Sequence, residues 1–226
     1  MEKKKLNPKK RTLIAVELLE QRYPEAVCSL DYEEPFRLMV SVRLSAQCTD
    51  ERVNLIAPVL FKKYPTTQDF AKADQTELEK YIFSCGFYHS KAKDIIGAAN
   101  AVLEKFDGKI PDNMEQLLSI PGVGRKSANL LLGDIYKKPA VVADTHCIRI
   151  SNRLGLCKKT DPYKVEMVLK DILPPEKSND FCHRLVLFGR EICTARSPKC
   201  LECPLFEICE NKPVPENGRR SKEREN

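Results

Sequence analysis

From residue 12 to residue 190 the apolar residues return at helical spacing, and this limits the fold more than any other feature of the chain. Such stripes run through 12–19, 36–44, 53–61, 78–83, 92–103, 114–118, 127–136, 145–154, 165–173 and 181–190. The breaks between them carry Pro, Gly or Asp, as at Tyr64-Pro65, Asp107-Gly108, Ile110-Pro111-Asp112, Lys138-Pro139 and Leu173-Pro174-Pro175. Only 139–142 has a strand-like pattern, and it is too short to found a sheet. The spacing therefore predicts an all-α protein. With 226 residues, 42% of them hydrophobic, there is enough chain for one large domain or two modest ones with a real core. The ends, 1–10 and 211–226, are charged and lack periodicity, and read as solvated tails.

Several classes are disfavoured. No apolar run approaches the roughly 20 residues that span a bilayer. The Lys-rich start is followed by Glu17, Glu20 and Arg22 rather than an apolar segment, so no secretory signal is expected. The expected location is the cytoplasm (at the nucleoid, in a bacterium) or the nucleus, not the exterior. A net charge of +6, from 38 basic and 32 acidic residues, biases the chain mildly toward a polyanion. Ten cysteines in a chain with no expected export are read as metal ligands before disulfides.

The most informative stretch is Leu118-Ser119-Ile120-Pro121-Gly122-Val123-Gly124-Arg125-Lys126-Ser127-Ala128. Pro121 stops one helix, two glycines around an apolar residue permit a tight turn, and another helix starts at once. Backbone N–H groups of Val123, Gly124 and their neighbours then face outward at a helix N-terminus, where the dipole favours an anion. Ile120 and Val123 would tuck inward and fix the turn. Such a site holds phosphate without reading sequence. The bland reading is an ordinary helix end followed by a new helix. Gly86 to Ala92 echoes the glycine-to-alanine spacing of Gly122 to Ala128.

Lys126 lies two residues beyond Gly124. It is either another phosphate contact, as Arg125 is expected to be, or a nucleophile, if burial beside the helix N-terminus disfavours the ammonium form. Residue types alone leave these readings balanced. Asp144, after the apolar run 141–143, is a natural N-cap for the next helix. It is also well placed to be a partly desolvated carboxylate that stabilises a cationic sugar and assists proton transfer. Near the end, Cys193, Cys200, Cys203 and Cys209 form a compact set spaced x6, x2 and x5. Four thiolates hold zinc or an iron–sulfur cluster, and the single CxxC hook argues against the usual structural zinc pattern. Cys28, Cys48, Cys85, Cys147, Cys157 and Cys182 are scattered, mostly on apolar faces, and read as small buried hydrophobes. His89, His146 and His183 show no mutual ligand spacing.

Taken together, these motifs resemble the endonuclease III branch of the helix-hairpin-helix DNA glycosylases, from about residue 12 to residue 210. That family carries L-P-G-V-G-R-K-[ST]-A-N followed by V-D-T-H; here the text is Ile120-Pro121-Gly122-Val123-Gly124-Arg125-Lys126-Ser127-Ala128-Asn129 and Ala143-Asp144-Thr145-His146. The family's L-S-A-Q-A-T-D appears as Leu44-Ser45-Ala46-Gln47-Cys48-Thr49-Asp50, and the cysteine spacing equals that of its [4Fe–4S] loop. The resemblance implies two all-α domains. One is a six-helix barrel over 28–138, with the hairpin at about 113–136. The other is an iron–sulfur cluster domain built from 11–27 and 139–210.

It further implies a monomer acting on double-stranded DNA with damaged bases or abasic sites, releasing oxidised pyrimidines. Lys126 would displace the base at C1′, form a Schiff base and cut 3′ to the site by β-elimination. The target base is flipped out of the stack; Gln47 would fill the gap and Phe87 would act as a second, apolar wedge. Pro121, Gly122, Gly124, Arg125, Arg196 and Lys199 would meet phosphates. Two departures stand out. Arg43 occupies a usually aliphatic position near the expected lesion pocket, which puts the substrate range in doubt. The text Leu132-Gly133-Asp134-Ile135 is also unusual. His146, beside Asp144, is a candidate to position the aspartate and to touch substrate. Alternatives are a relative with a shifted lesion preference (a mismatched or alkylated base) and a non-catalytic DNA-binding protein.

Overall fold

The computed structural model describes residues 6–211. The C-terminal segment read as a tail lies outside these residues, Asn211 excepted. Among the described residues eleven α-helices run in order: α1 (Pro8–Arg22), α2 (Pro35–Leu44), α3 (Asp50–Lys63), α4 (Thr67–Ala71), α5 (Gln75–Ile82), α6 (Tyr88–Phe106), α7 (Met114–Leu118), α8 (Arg125–Tyr136), α9 (Thr145–Leu154), α10 (Pro162–Ile172) and α11 (Ser178–Glu191). No strand occurs among the described residues. Residues 139–142, the strand-like candidate, run without a regular element.

Local chemistry explains most helix starts. Asn7, Thr49, Thr66, Asp74, Asn113, Asp144 and Asp161 each accept a hydrogen bond from a first-turn amide. Pro8, Pro35 and Pro162 stand at N1 or N2, where a missing N–H costs nothing. The cap at Asn7 corrects the expectation of a soft start through residue 10, since α1 begins at Pro8. The short α4, closed by a Thr66–Asp69 capping box, has no stripe of its own in the sequence.

Two apolar cores form. The first gathers residues of α2 through α8, among them Leu38, Leu60, Phe70, Ile95, Leu117 and Leu131. The second joins α1 to α9–α11 and the segment beyond, through Leu19, Val141, Ile150, Leu169, Phe181 and Leu205. Buried Arg11 ties the two chain ends together, donating to the Gly155 carbonyl at 2.9 Å and to Glu210 at 3.0 Å. Leu130 packs against both cores.

The unusual α8 text has a structural meaning. A Cβ on Gly133 would fall 2.0 Å from Asn179 Oδ1, so glycine lets α11 approach α8. Buried Asp134 pairs with His183 of α11 at 2.9 Å. Among the described residues no helix is long and apolar enough to cross a membrane.

Candidate active site and DNA interface

The hairpin is α7, the Ser119–Gly124 turn and α8. Gly122 has φ +75°, a conformation other residues rarely adopt, and Ile120 and Val123 are buried beneath the turn as expected. One expectation needs correcting. The Val123 N–H donates to the Ile120 carbonyl at 3.1 Å, so it closes the turn and does not face outward. The outward amides are those at the start of α8, where Gly124 is an N-cap with no side chain to satisfy them. Gly124 has ordinary extended backbone, and a Cβ there would meet nothing in the protein within 4 Å. Neither strain nor internal packing requires glycine at 124, and the position is open to solvent.

Arg125 departs from its expected role. Its guanidinium makes two hydrogen bonds to Glu166 of α10, at 2.7 and 2.9 Å, and stacks over Tyr163. Glu166 also accepts from Lys170 at 2.7 Å. Burial pushes the Glu166 carboxyl up, but these cations outweigh it and hold the group below the ordinary range. Arg125 thus fastens α8 to α10, sharing the one Glu166 carboxylate with Lys170.

Between the two cores lies a cavity of about 310 Å³. Lys126, Asp144, Gln47 and His146 all line it, together with Asp50 and Arg190. Lys126 stands exposed at its edge, which corrects the expectation of a buried amine: the protein alone does not withdraw it from water. Asp144 caps α9 as foreseen, its Oδ1 accepting the Cys147 N–H at 2.7 Å, and it lines the cavity as well. That cap, and not His146, orients the carboxylate. The His146 ring faces Arg149 at 3.2 Å and packs on Gly189. Burial first, then the cations Arg149, Arg190 and Lys126, hold His146 below the ordinary histidine value despite Asp144.

Arg43 is the clearest correction. It does not line this cavity. Its side chain turns under the hairpin, ion-pairs Asp94 of α6 at 2.6 Å and packs against Gly122. Gln47 is exposed at φ +54°, and Phe87, 65% exposed, has φ +49°. These are two of four non-glycine residues at positive φ among the described residues, a strain of order 1–3 kcal/mol that the surrounding structure must hold. Phe87 stands outside the cavity lining.

Sequence reasoning missed three cations. Arg190 bridges α11 to Asp50 at the start of α3 with a 2.7 Å ion pair, closing one side of the cavity. Arg149 and Arg153 organise the cysteine loop: Arg149 donates to the Cys193 carbonyl at 3.0 Å, and Arg153 to the carbonyls of Thr194 and Ala195 at 2.7 and 2.8 Å. Their i, i+4 spacing on α9 was the available signal.

Cys193, Cys200, Cys203 and Cys209 line a second cavity, of about 70 Å³, walled by Arg153, Leu154, Phe188 and Ile192. Among the described residues no three ligating side chains stand at closed metal-binding spacing. The donor set still fits an iron–sulfur cluster: four thiols share one small cavity, apolar side chains shield it, and Arg153 Nη1 lies 3.4 Å from the Cys193 sulfur, where it offsets thiolate charge. Arg196 and Lys199 are exposed on this loop.

Comparison with known proteins agrees with this geometry. Residues 40–175 match the HhH-GPD superfamily of base excision DNA repair proteins, and 193–209 match the iron–sulfur binding domain of endonuclease III. The chain is 44% identical to endonuclease III of Synechocystis over 92% of this chain and 95% of that one. It is 42% identical to the Bacillus subtilis enzyme, over 83% and 86%. Two solved structures superpose with TM-scores of 0.85 and 0.86 at 38% identity: a trapped covalent endonuclease III–DNA intermediate, covering 90% of this chain and 96% of that one, and a non-covalent endonuclease III–DNA complex, covering 90% and 95%.

Proposed function

The chain belongs to the endonuclease III family of helix-hairpin-helix base excision repair proteins, and on that premise we propose that Lys126 is its nucleophile and Asp144 its acid–base group. The activity is that of the family, a DNA glycosylase that is also an abasic-site lyase, and the protein carries a [4Fe–4S] cluster. The observation that supports the assignment is the shared cavity: Lys126, Asp144 and Gln47 line one space of a size suited to a flipped nucleotide.

In this reading the uncapped start of α8 and the bare Gly124 hold a backbone phosphate, which positions the duplex without reading it. Gln47 fills the gap left by the flipped nucleotide, and Phe87 wedges beside it. The bound duplex covers Lys126, so its unprotonated Nζ meets C1′ as the damaged base departs. The Asp144 carboxylate faces the positive charge developing on the sugar and accepts the proton that the attacking amine releases. Ring opening leaves an imine between Nζ and C1′. Loss of a C2′ proton then expels the 3′ phosphate. When bound, the [4Fe–4S] cluster supplies iron–thiolate bonds that pin the 193–209 loop. Cys193, Cys200, Cys203 and Cys209 would hold it, and Arg196 and Lys199 would meet phosphates from that loop.

The substrate class we assign is oxidised pyrimidine. Arg43 no longer argues against it, because its charge is spent on Asp94. We also assign a monomer, because Lys126, Asp144 and Gln47 meet in one cavity without a residue from a second copy, and the bacterial relatives fit action at the nucleoid. The test is a set of duplexes bearing an oxidised pyrimidine, an abasic site, a mismatch or an alkylated base. Cleavage of the first two alone is expected; preferred excision of either of the others would overturn the substrate assignment.

A further inference from the structure

Gln47 and Phe87 stand on different loops, yet one small assembly holds both. Lys91, in the first turn of α6, is 0% exposed, and its Nζ donates to the carbonyls of Leu44 at 2.8 Å and Cys85 at 2.9 Å. One ammonium therefore draws the end of α2 against the Phe83–Cys85 turn. Cys48 directly follows Gln47, while Cys85 precedes Gly86 and Phe87, and the two thiols are near enough for Cys48 to push the Cys85 thiol up. Gln47 and Phe87 both have positive φ, so the backbone beside each thiol is held under constraint. The thiols differ in access. Cys48 is half-buried and lines the active-site cavity, and Cys85 is 2% exposed.

We propose that Cys48 and Cys85 are a peroxide-sensitive dithiol whose oxidation to a disulfide disables the insertion of Gln47 and Phe87 into duplex DNA. The Cys48 thiolate attacks one oxygen of hydrogen peroxide, the O–O bond breaks, and the departing hydroxide takes a proton to leave as water. Cys48 is now a sulfenic acid. The Cys85 sulfur, having lost its proton, attacks the Cys48 sulfur, the S–O bond breaks and a second water leaves. Two thiols have lost two electrons and one peroxide has gained them. Burial pushes the Cys85 thiol up to about 12, so the resolving step is slow and runs through the small fraction of Cys85 that has lost its proton. The bonded sulfurs close to about 2.05 Å, nearer than any hydrogen-bonded thiols, and so pull on the backbone beside both constrained residues. A second neighbouring pair, Cys147 and Cys182, is 0% and 3% exposed, and Cys182 borders the same cavity, so the peptide map must follow it as well.

The consequence for DNA rests on reading Gln47 and Phe87 as the inserted side chains. The test treats the cluster-loaded protein with hydrogen peroxide while its visible absorbance reports that the cluster is intact. Non-reducing peptide mapping should find Cys48 joined to Cys85, with lesion-duplex affinity down about tenfold and restored by dithiothreitol. Cys85→Ala should bind as the untreated parent does and resist the oxidant; Cys85→Val serves if the alanine variant folds poorly. Free or over-oxidised Cys48, linkage to another cysteine, or equal inhibition of the Cys85 variant would overturn the proposal. If instead the reading of the inserted residues is at fault, reduced Gln47→Ala and Phe87→Ala bind lesion DNA as well as the parent, whatever the thiols do.

Discussion

The Arg43 guanidinium closes on Asp94, Nε to Oδ2 at 2.7 Å, and the pair stands directly beneath Gly122 of the hairpin. A Cβ on Gly122 would fall 2.8 Å from Asp94 Cβ and 3.0 Å from Arg43 Cδ, so the turn rests on this ion pair. The pair is about a quarter exposed, and Arg43→Leu should cost on the order of 1 kcal/mol of stability. It should weaken DNA binding by the hairpin while leaving the ranking of lesions unchanged. Thermal unfolding and a lesion panel check this; a reordered ranking would return Arg43 to the lesion pocket.

Glu166 anchors Arg125 and Lys170 from a nearly buried position. Its folded value lies below the unfolded one, so the stabilisation is present above the ordinary carboxylate range and is lost as pH falls through it. Glu166→Gln should cost about 2 kcal/mol at neutral pH. It should also flatten the acid limb of a stability–pH curve. An unchanged acid limb would mean that other carboxylates carry it.

Lys91→Met keeps the length of the side chain but leaves the Leu44 and Cys85 carbonyls without their donor. A loss of about 2–3 kcal/mol is expected. Because both loops lose their common tie, base flipping, read by a fluorescent base analogue, should fall more than duplex binding. Equal losses would reduce Lys91 to a fold residue.

Asp144→Asn separates two roles. Asparagine caps helices about as well as aspartate, so α9 should stay intact and binding should hold. Base release should slow by at least about a hundredfold. Unchanged turnover would leave Asp144 as a cap alone.

The helices were legible because each stripe has local causes: a period, a cap, a breaker. The four cysteines were legible because their spacing along the chain carries the chemistry, whereas residue types left Lys126 balanced between two readings and only the family resemblance singled it out with Asp144. What the chain hid is long-range. Nothing near Arg43 announces Asp94, 51 residues away, or near Arg125 announces Glu166, 41 residues away. The same holds for Lys91, which reads as an ordinary helix lysine until two distant carbonyls meet it. The Val123 amide was misjudged because a turn this tight uses one of its own donors to close.

In the proposed reaction Lys126 forms a covalent bond with the sugar. Borohydride added during turnover on a lesion duplex should trap a protein–DNA adduct in the parent, and Lys126→Ala should yield none while still binding the duplex. Trapping that survives Lys126→Ala, at the parent's level, would contradict the account.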